Sequence, residues 1–222
     1  DGNYTLLDTY NGTNSITVTS GTFITNSYAI TCTSFSSSNS NARTLTFGNT
    51  AFTLTLSTAG NLWNVSLTTN LTVTGSPSLT VSNTSASLRL ILLGTFTYQS
   101  LNYIVAGSTG TLTVSTAGAV VNDFNFSDAT NARTLTFNNG GTITITNSFN
   151  VFGSSGKVVT INKEAGASRA TITKASGIVS LDYVSITDNN GTGGAYFAAG
   201  NNSTDGGNNL GWVFGAASFP LS

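Results

Sequence analysis

Charge is nearly missing from this 222-residue chain. Charged side chains make up 7 % of it and the net charge is −1, where a typical soluble domain carries about 25 %. Between Gly2 and Val121 only Asp8, Arg43 and Arg89 are charged. The seven Lys and Arg residues are scattered, so the clustered basic footprint of a nucleic-acid binder is missing and no nucleic-acid partner is expected. Histidine is absent, which removes the side chain most often used for proton transfer near neutral pH. Cys32 is alone and cannot form an internal disulfide; its strand-like setting, AITCTSF, points to a buried small side chain. No apolar run approaches the roughly 18 residues of a membrane span; the longest, LRLILLG at 88–94, contains Arg89. Helix-period patterning is missing as well, and Thr, Ser, Asn and Gly are weak helix formers.

What remains is apolar residue alternating with hydroxyl or amide. The apolar share is 39 % and it is periodic, which excludes a chain too polar to fold. Runs such as SITVTS (15–20), RTLTF (43–47), FTLTLS (52–57), TLTVS (111–115) and TITIT (142–146) are short and bounded by Gly, Asn or Ser. Period-two alternation sends Leu, Ile, Val and Phe to one face and Thr, Ser and Asn to the other.

The chain also repeats itself. NARTLTF occurs at 41–47 and at 131–137, and LTLSTAG (54–60) returns as LTVSTAG (112–118). Such repetition marks stacked units, none able to bury its apolar face alone. The expected fold is all-β, a right-handed parallel β-helix with turns of about 25 residues; an antiparallel sandwich or jelly roll uses strands of the same length and stays open as the alternative. In the β-helix winding, FNF (124–126), TLTF (134–137) and TITIT (142–146) form three sides of one turn. FNV (149–151), VVTI (158–161) and ATIT (170–173) form the next, and VSLDYVSI (179–186) begins a third. The expected inward residues are Phe124, Phe126, Leu135, Phe137, Ile143, Ile145, Val151, Val159, Ile161, Ile172, Leu181 and Ile186.

From Phe124 the segment FNFSDATNARTLTFNNGGTITITNSFNVFGSSGKVVTIN, then ASRATITKASGIVSLDYVSITD and GTGGAYFAAGNNSTDGGNNLGWVF, resembles the terminal unit of right-handed parallel β-helix regions in repetitive bacterial surface proteins and phage structural proteins. The resemblance covers about residues 124–214. It implies a scaffold displayed outside a cell or on a virion, and brings no catalytic positions with it.

Candidate chemistry is sparse. The acids are Asp1, Asp8, Asp123, Asp128, Glu164, Asp182, Asp188 and Asp205. On a straight strand Asp182 and Asp188 lie roughly 20 Å apart, beyond the ~5–9.5 Å of a paired-carboxylate mechanism, so no catalytic residue and no organic cofactor is expected. Asp188, Asn190 and Asp205 surround Gly turns with oxygen ligands and are weak calcium candidates. Sequons at Asn3, Asn11, Asn64, Asn70, Asn83, Asn125, Asn190, Asn201 and Asn202 leave covalent glycans open. Tyr183, Tyr196, Phe197, Trp212 and Phe214 gather near the end, where they are expected to cap an open β-helix. Thr-x-Thr pairs suggest an ordered-water surface, but their spacing along the chain is uneven.

The expectation that follows is a non-enzymatic extracellular structural protein. It is a self-assembling subunit or segment of a surface fibre, adhesin or virion appendage, whose partners are copies of itself. A carbohydrate- or receptor-binding module of a phage tail, with cell-surface glycans as partner, is the alternative; an ice-binding solenoid and a polysaccharide-active enzyme rank behind it. Residues 1–21 are expected to form a strand segment able to dock on a neighbour. Residues 22–187 form the repetitive body, and 188–222 a closing block with an apolar tail.

Overall fold

In the computed structural model, which describes residues 2–82, 87–92, 96–103, 110–116, 118–127 and 130–215, the chain is all-β and winds about eight times into a parallel β-solenoid. No described residue is helical. Every pairing between named strands is parallel, with neighbours in the ladder lying one turn apart in sequence, which excludes the sandwich and jelly roll.

Each turn passes three walls. The first wall opens with Asn3–Thr5, Gly21–Ile24, Arg43–Gly48 and Leu71–Gly75. The second opens with Tyr10–Asn11, Ile30–Cys32, Ala51–Leu54 and Ser78–Val81. The third runs the whole length, from Ile16–Thr17 through Phe35–Ser36 and Gly60–Asn64 to Val184–Ile186 and Thr204–Asp205. Three longer strands, Thr97–Tyr103, Val120–Ser127 and Thr142–Phe152, turn the corner between the first and second walls. The last shows it plainly: Thr142–Thr144 pairs onward with Thr171–Thr173, while Ser148–Phe152 pairs back with Asp123–Ser127.

The expected winding is the observed one. Phe124, Asn125 and Phe126 lie over Phe149, Asn150 and Val151; Leu135 lies over Ile161 and Ile143 over Ile172. All the residues expected to point inward are buried. Turn length varies, however. Asn3 pairs with Thr22, a step of 19, whereas Thr44 pairs with Thr72, a step of 28. The walls keep register because the corners absorb the difference.

The interior is apolar and layered. Its densest part is an aromatic cluster contributed by all three walls: Phe35 stacks on Trp63 at 4.5 Å, Phe52 meets Trp63 edge-on at 5.0 Å, and Phe47 lies 5.4 Å from Phe52. Trp63 Nε1 donates to the Tyr98 hydroxyl at 3.2 Å, so the one polar atom of the ring is satisfied without water. Cys32 is fully buried and unpaired, and burial pushes its thiol up to about 11, which keeps it unreactive.

Corners carry the buried polar groups. The Thr25 and Thr50 hydroxyls share a 2.5 Å hydrogen bond, in which Thr25 donates while Thr50 donates to the Phe47 carbonyl at 2.6 Å. Gly75 sits directly on Gly48, both at positive φ. A Cβ on Gly75 would come within 2.3 Å of the Gly48 nitrogen, so two turns stack there because Gly75 has no side chain.

The two NARTLTF copies occupy different walls. The first supplies Arg43–Gly48 on the first wall, the second Arg133–Phe137 on the third. The repeated unit is thus a corner plus one strand and not a whole turn. Residues 2–21 are the first turn itself. Residues 189–205 are another full turn, made of Asn189–Thr192, Tyr196–Ala199 and Thr204–Asp205, and Trp212–Phe214 starts one more strand upon it.

Candidate functional site

The exterior of the solenoid and the open edges of its first turn are where this chain can act, because the interior is filled. Among residues 2–82 the charged side chains are Asp8 and Arg43, and Arg43 is only 2 % exposed. Its guanidinium reaches inward to a corner. Nη1 donates to the Ser37 carbonyl at 2.7 Å, Nη2 to the carbonyls of Leu67 (3.0 Å) and Thr69 (2.9 Å), and Nε to that of Asn41 (2.9 Å). Arg133, the same residue of the second copy, is equally buried and stacks 4.6 Å from the Tyr103 ring. Both arginines therefore serve the stack, a role that alternation alone does not reveal.

On the second wall, outward amides form a ladder. Asn125 Nδ2 donates to Asn102 Oδ1, and Asn150 Nδ2 donates to Asn125 Oδ1, each at 2.8 Å. Beside it, Asp123 Oδ1 accepts from the Ser148 hydroxyl and from Asn147 Nδ2. These polar groups satisfy one another from rung to rung, spaced by the ~4.7–4.9 Å of adjacent strands.

This ladder bears on the glycan sites. The nitrogen that would carry a sugar on Asn125 is the donor to Asn102; on Asn202 it donates to Asp182 Oδ2 at 2.8 Å, and on Asn70 to the Ser40 carbonyl at 3.0 Å. Asn64 and Asn190 are half-buried, whereas Asn3, Asn11 and Asn201 are exposed. Asn83, like the tail 216–222, lies outside the described residues.

The calcium candidates have protein partners of their own. Asp188 receives the Asn208 amide and faces Lys163 Nζ at 3.6 Å. Asp205 Oδ1 closes an Asx turn on Gly207 N (2.9 Å) and also receives Asn209 Nδ2 (2.6 Å). Asn190 stands on the first wall beside Thr171. Among the described residues no group of three or more His, Cys, Asp or Glu side chains could hold a metal ion.

Of the aromatics near the end, Phe197 is buried, and Trp212 lies over it at 5.1 Å. Phe214 pairs with Ala199 and packs on the core, as Trp212 does. Tyr183 and Tyr196 are half-buried, Tyr183 at a positive-φ corner. The larger aromatic cluster, around Phe35 and Trp63, lies in the first half of the chain, where the sequence shows no local concentration of rings.

Two acids fasten the last turns. Burial opposes ionisation of Asp182, but hydrogen bonds from Asn202, the Tyr183 backbone and Ser203 outweigh it and hold the carboxyl below its usual range. The Asn208 amide lowers Asp188, aided by the charges of Lys163 and Arg169 against a burial effect of opposite sign. A depressed folded-state pKa stabilises above the unfolded value, near 4, and that stabilisation is lost as pH falls through the folded one. Acidification from about pH 5 to about pH 3 is therefore expected to loosen residues 178–214 before the aromatic layers, as read by amide hydrogen exchange. The double variant Asp182→Asn/Asp188→Asn is expected to lose most of this pH dependence; an unchanged pH profile would remove these two acids from the account.

Among the described residues nothing pairs with the outward side of the first turn. Leu6 N donates to Ile24 O and Gly2 O accepts from Thr22 N, so the alternate groups of Asn3 and Thr5 face away from the stack. By the same alternation no described residue pairs with the outward backbone groups of Asn11 and Thr17, since Tyr10, Gly12, Ile16 and Val18 make the inward bonds. Tyr4 and Leu7, 66 % and 83 % exposed, stand there too. A cavity of about 620 Å³ opens at this end, lined by Tyr4, Leu6, Ile16, Val18 and Phe23 among others. No helix among the described residues is long and apolar enough to cross a membrane. No family model, curated protein or solved structure matches the chain.

Proposed function

We propose that this protein is a non-enzymatic structural element, a stiff segment of an extracellular fibre, adhesin or virion appendage that lengthens by joining copies of itself. The observation that carries the reading is the set of outward strand edges on the first described turn, on all three walls, that no described residue pairs. Because every ladder is parallel, the first turn of one copy and the last turn of another present strands running in the same direction. A copy can then continue the stack by moving along the axis, which is a heterologous contact that builds filaments and not closed pairs. The apolar mouth lined by Ile16, Val18 and Phe23 adds surface that such a contact covers. The scarcity of charge supports it, since no like-charge repulsion opposes stacking. The extracellular placement rests on the resemblance of residues 124–214 to surface and phage β-helices. The absence of histidine, the buried Cys32 and the hydrogen-bonded carboxylates favour a role without catalysis.

Sedimentation velocity over a concentration series tests the joining. The native chain is expected to grow in mass with concentration. Thr5→Pro/Thr17→Pro removes two outward N–H donors that the internal ladder does not use, and is expected to stay one chain in size with nearly unchanged melting. A native chain that remains a single small species throughout would overturn the proposal.

A further inference from the structure

The uneven Thr-x-Thr spacing of the sequence disappears on folding. On the first wall Thr22 lies beside Thr44 and Thr44 beside Thr72, while Thr46 lies beside Thr74. The steps between them in sequence differ, and the corners take up the difference. Further along the same wall Thr142 and Thr144 pair with Thr171 and Thr173, which in turn pair with Asn190 and Thr192. The result is an outward threonine pattern in two patches, one over residues 22–74 and one over residues 142–192, with Ile24 and Asn190 standing in threonine positions. Its spacing is ~4.7–4.9 Å from rung to rung and ~6.6 Å between side chains on one strand.

Three properties suit this wall to contact with a repeating surface. The hydroxyls of Thr22, Thr44, Thr46, Thr72 and Thr74 bond no protein group, whereas the amides of the second wall saturate one another. No charged side chain occupies an outward position in the paired strands of this wall; Arg43 is inward, and Lys174, at the corner, is tied to the Asn147 carbonyl at 2.7 Å. The side chains are also β-branched and stiff at χ1, so hydroxyls and methyls are held in place before anything binds.

We propose that this threonine wall binds the surface of ice. A rigid two-dimensional grid of hydroxyls can continue the hydrogen-bond net of a crystal, and the methyls between them sit in its hollows. A charged or flexible surface would instead hold disordered hydration. Fixing the groups in advance removes the entropy cost that weakens binding to a lattice. A dissolved ligand would need a concave site with a few convergent groups, which a flat wall lacks; a periodic solid needs periodicity, which it has.

The test is partition of labelled native chain into a slowly growing ice front, together with thermal hysteresis. The native chain is expected to enter the ice and to depress its growth temperature. Thr46→Lys and Thr171→Lys are each expected to abolish both effects, while Thr53→Lys, on the second wall, leaves them intact. Should the lysine variants fail to fold, Thr44→Val/Thr72→Val keeps the shape, removes two hydroxyls and is expected to lose most of the activity. Exclusion of the native chain from ice would overturn the proposal. So would retention on crystalline cellulose or chitin without ice activity, which would assign the wall to a solid polysaccharide.

Discussion

Trp63→Ala is expected to destabilise the first half of the solenoid by about 3–5 kcal/mol, the range for removing a large buried aromatic. Trp63 is fully buried and touches rings from all three walls: Phe35 at 4.5 Å, Phe52 at 5.0 Å, Phe47 at 5.6 Å and Tyr98 at 6.2 Å. Its loss opens a cavity that the flat walls cannot collapse to fill, because each is fixed by ladders above and below. It also leaves the Tyr98 hydroxyl, fully buried, without the indole donor, which adds a desolvation cost. In a stack whose stability is a sum of neighbour contacts, the damage should stay local. Urea unfolding is expected to split into two transitions, with hydrogen exchange speeding in residues 21–82 and little changed in 159–199. A shift below about 1 kcal/mol would mean that the aromatic cluster is not a keystone of the stack.

Arg43→Met is expected to cost about 3 kcal/mol, because it leaves several buried carbonyls without donors at about 1–3 kcal/mol for each one that water cannot reach. The guanidinium has no carboxylate partner among its hydrogen bonds; it is held by four carbonyls from Ser37, Asn41, Leu67 and Thr69. Two of these lie in the corner that leads into Arg43's own strand and two in the same corner one turn on, so one side chain ties successive corners. Methionine fills much of the volume but leaves those carbonyls dry. Lysine at the same position keeps the charge yet cannot fan donors in a plane, so Arg43→Lys should recover only part of the loss, as measured by thermal melts. A lysine variant as stable as the native chain would show that the charge matters there and the fork does not.

These two residues also mark what could be read from the sequence. Alternation identified the inward set from Phe124 to Ile186, because a wall with one face in the core obeys a strict period of two. It also set FNF over FNV and TLTF over VVTI. Before residue 124 it did not show which wall a strand joins, since corners from one turn to the next differ in length; the NARTLTF copies, identical in sequence, land on different walls for that reason. Arg43 broke the pattern silently. An arginine at a strand start looks like an outward polar residue, and its partners are backbone carbonyls up to 26 residues away. The aromatic cluster was hidden likewise, because Phe35, Phe47, Phe52 and Trp63 are scattered in sequence and meet only when three walls close. The same effect concealed the threonine grid: its regularity exists in the stack and not along the chain.

Electron microscopy of the native chain at high concentration, with fibre diffraction from aligned material, tests the central claim most directly. Stacked parallel turns that continue from copy to copy predict unbranched filaments one solenoid wide, with a strong reflection near 4.7–4.8 Å along the filament axis. Dispersed particles no longer than about eight turns, at every concentration reached, would contradict it.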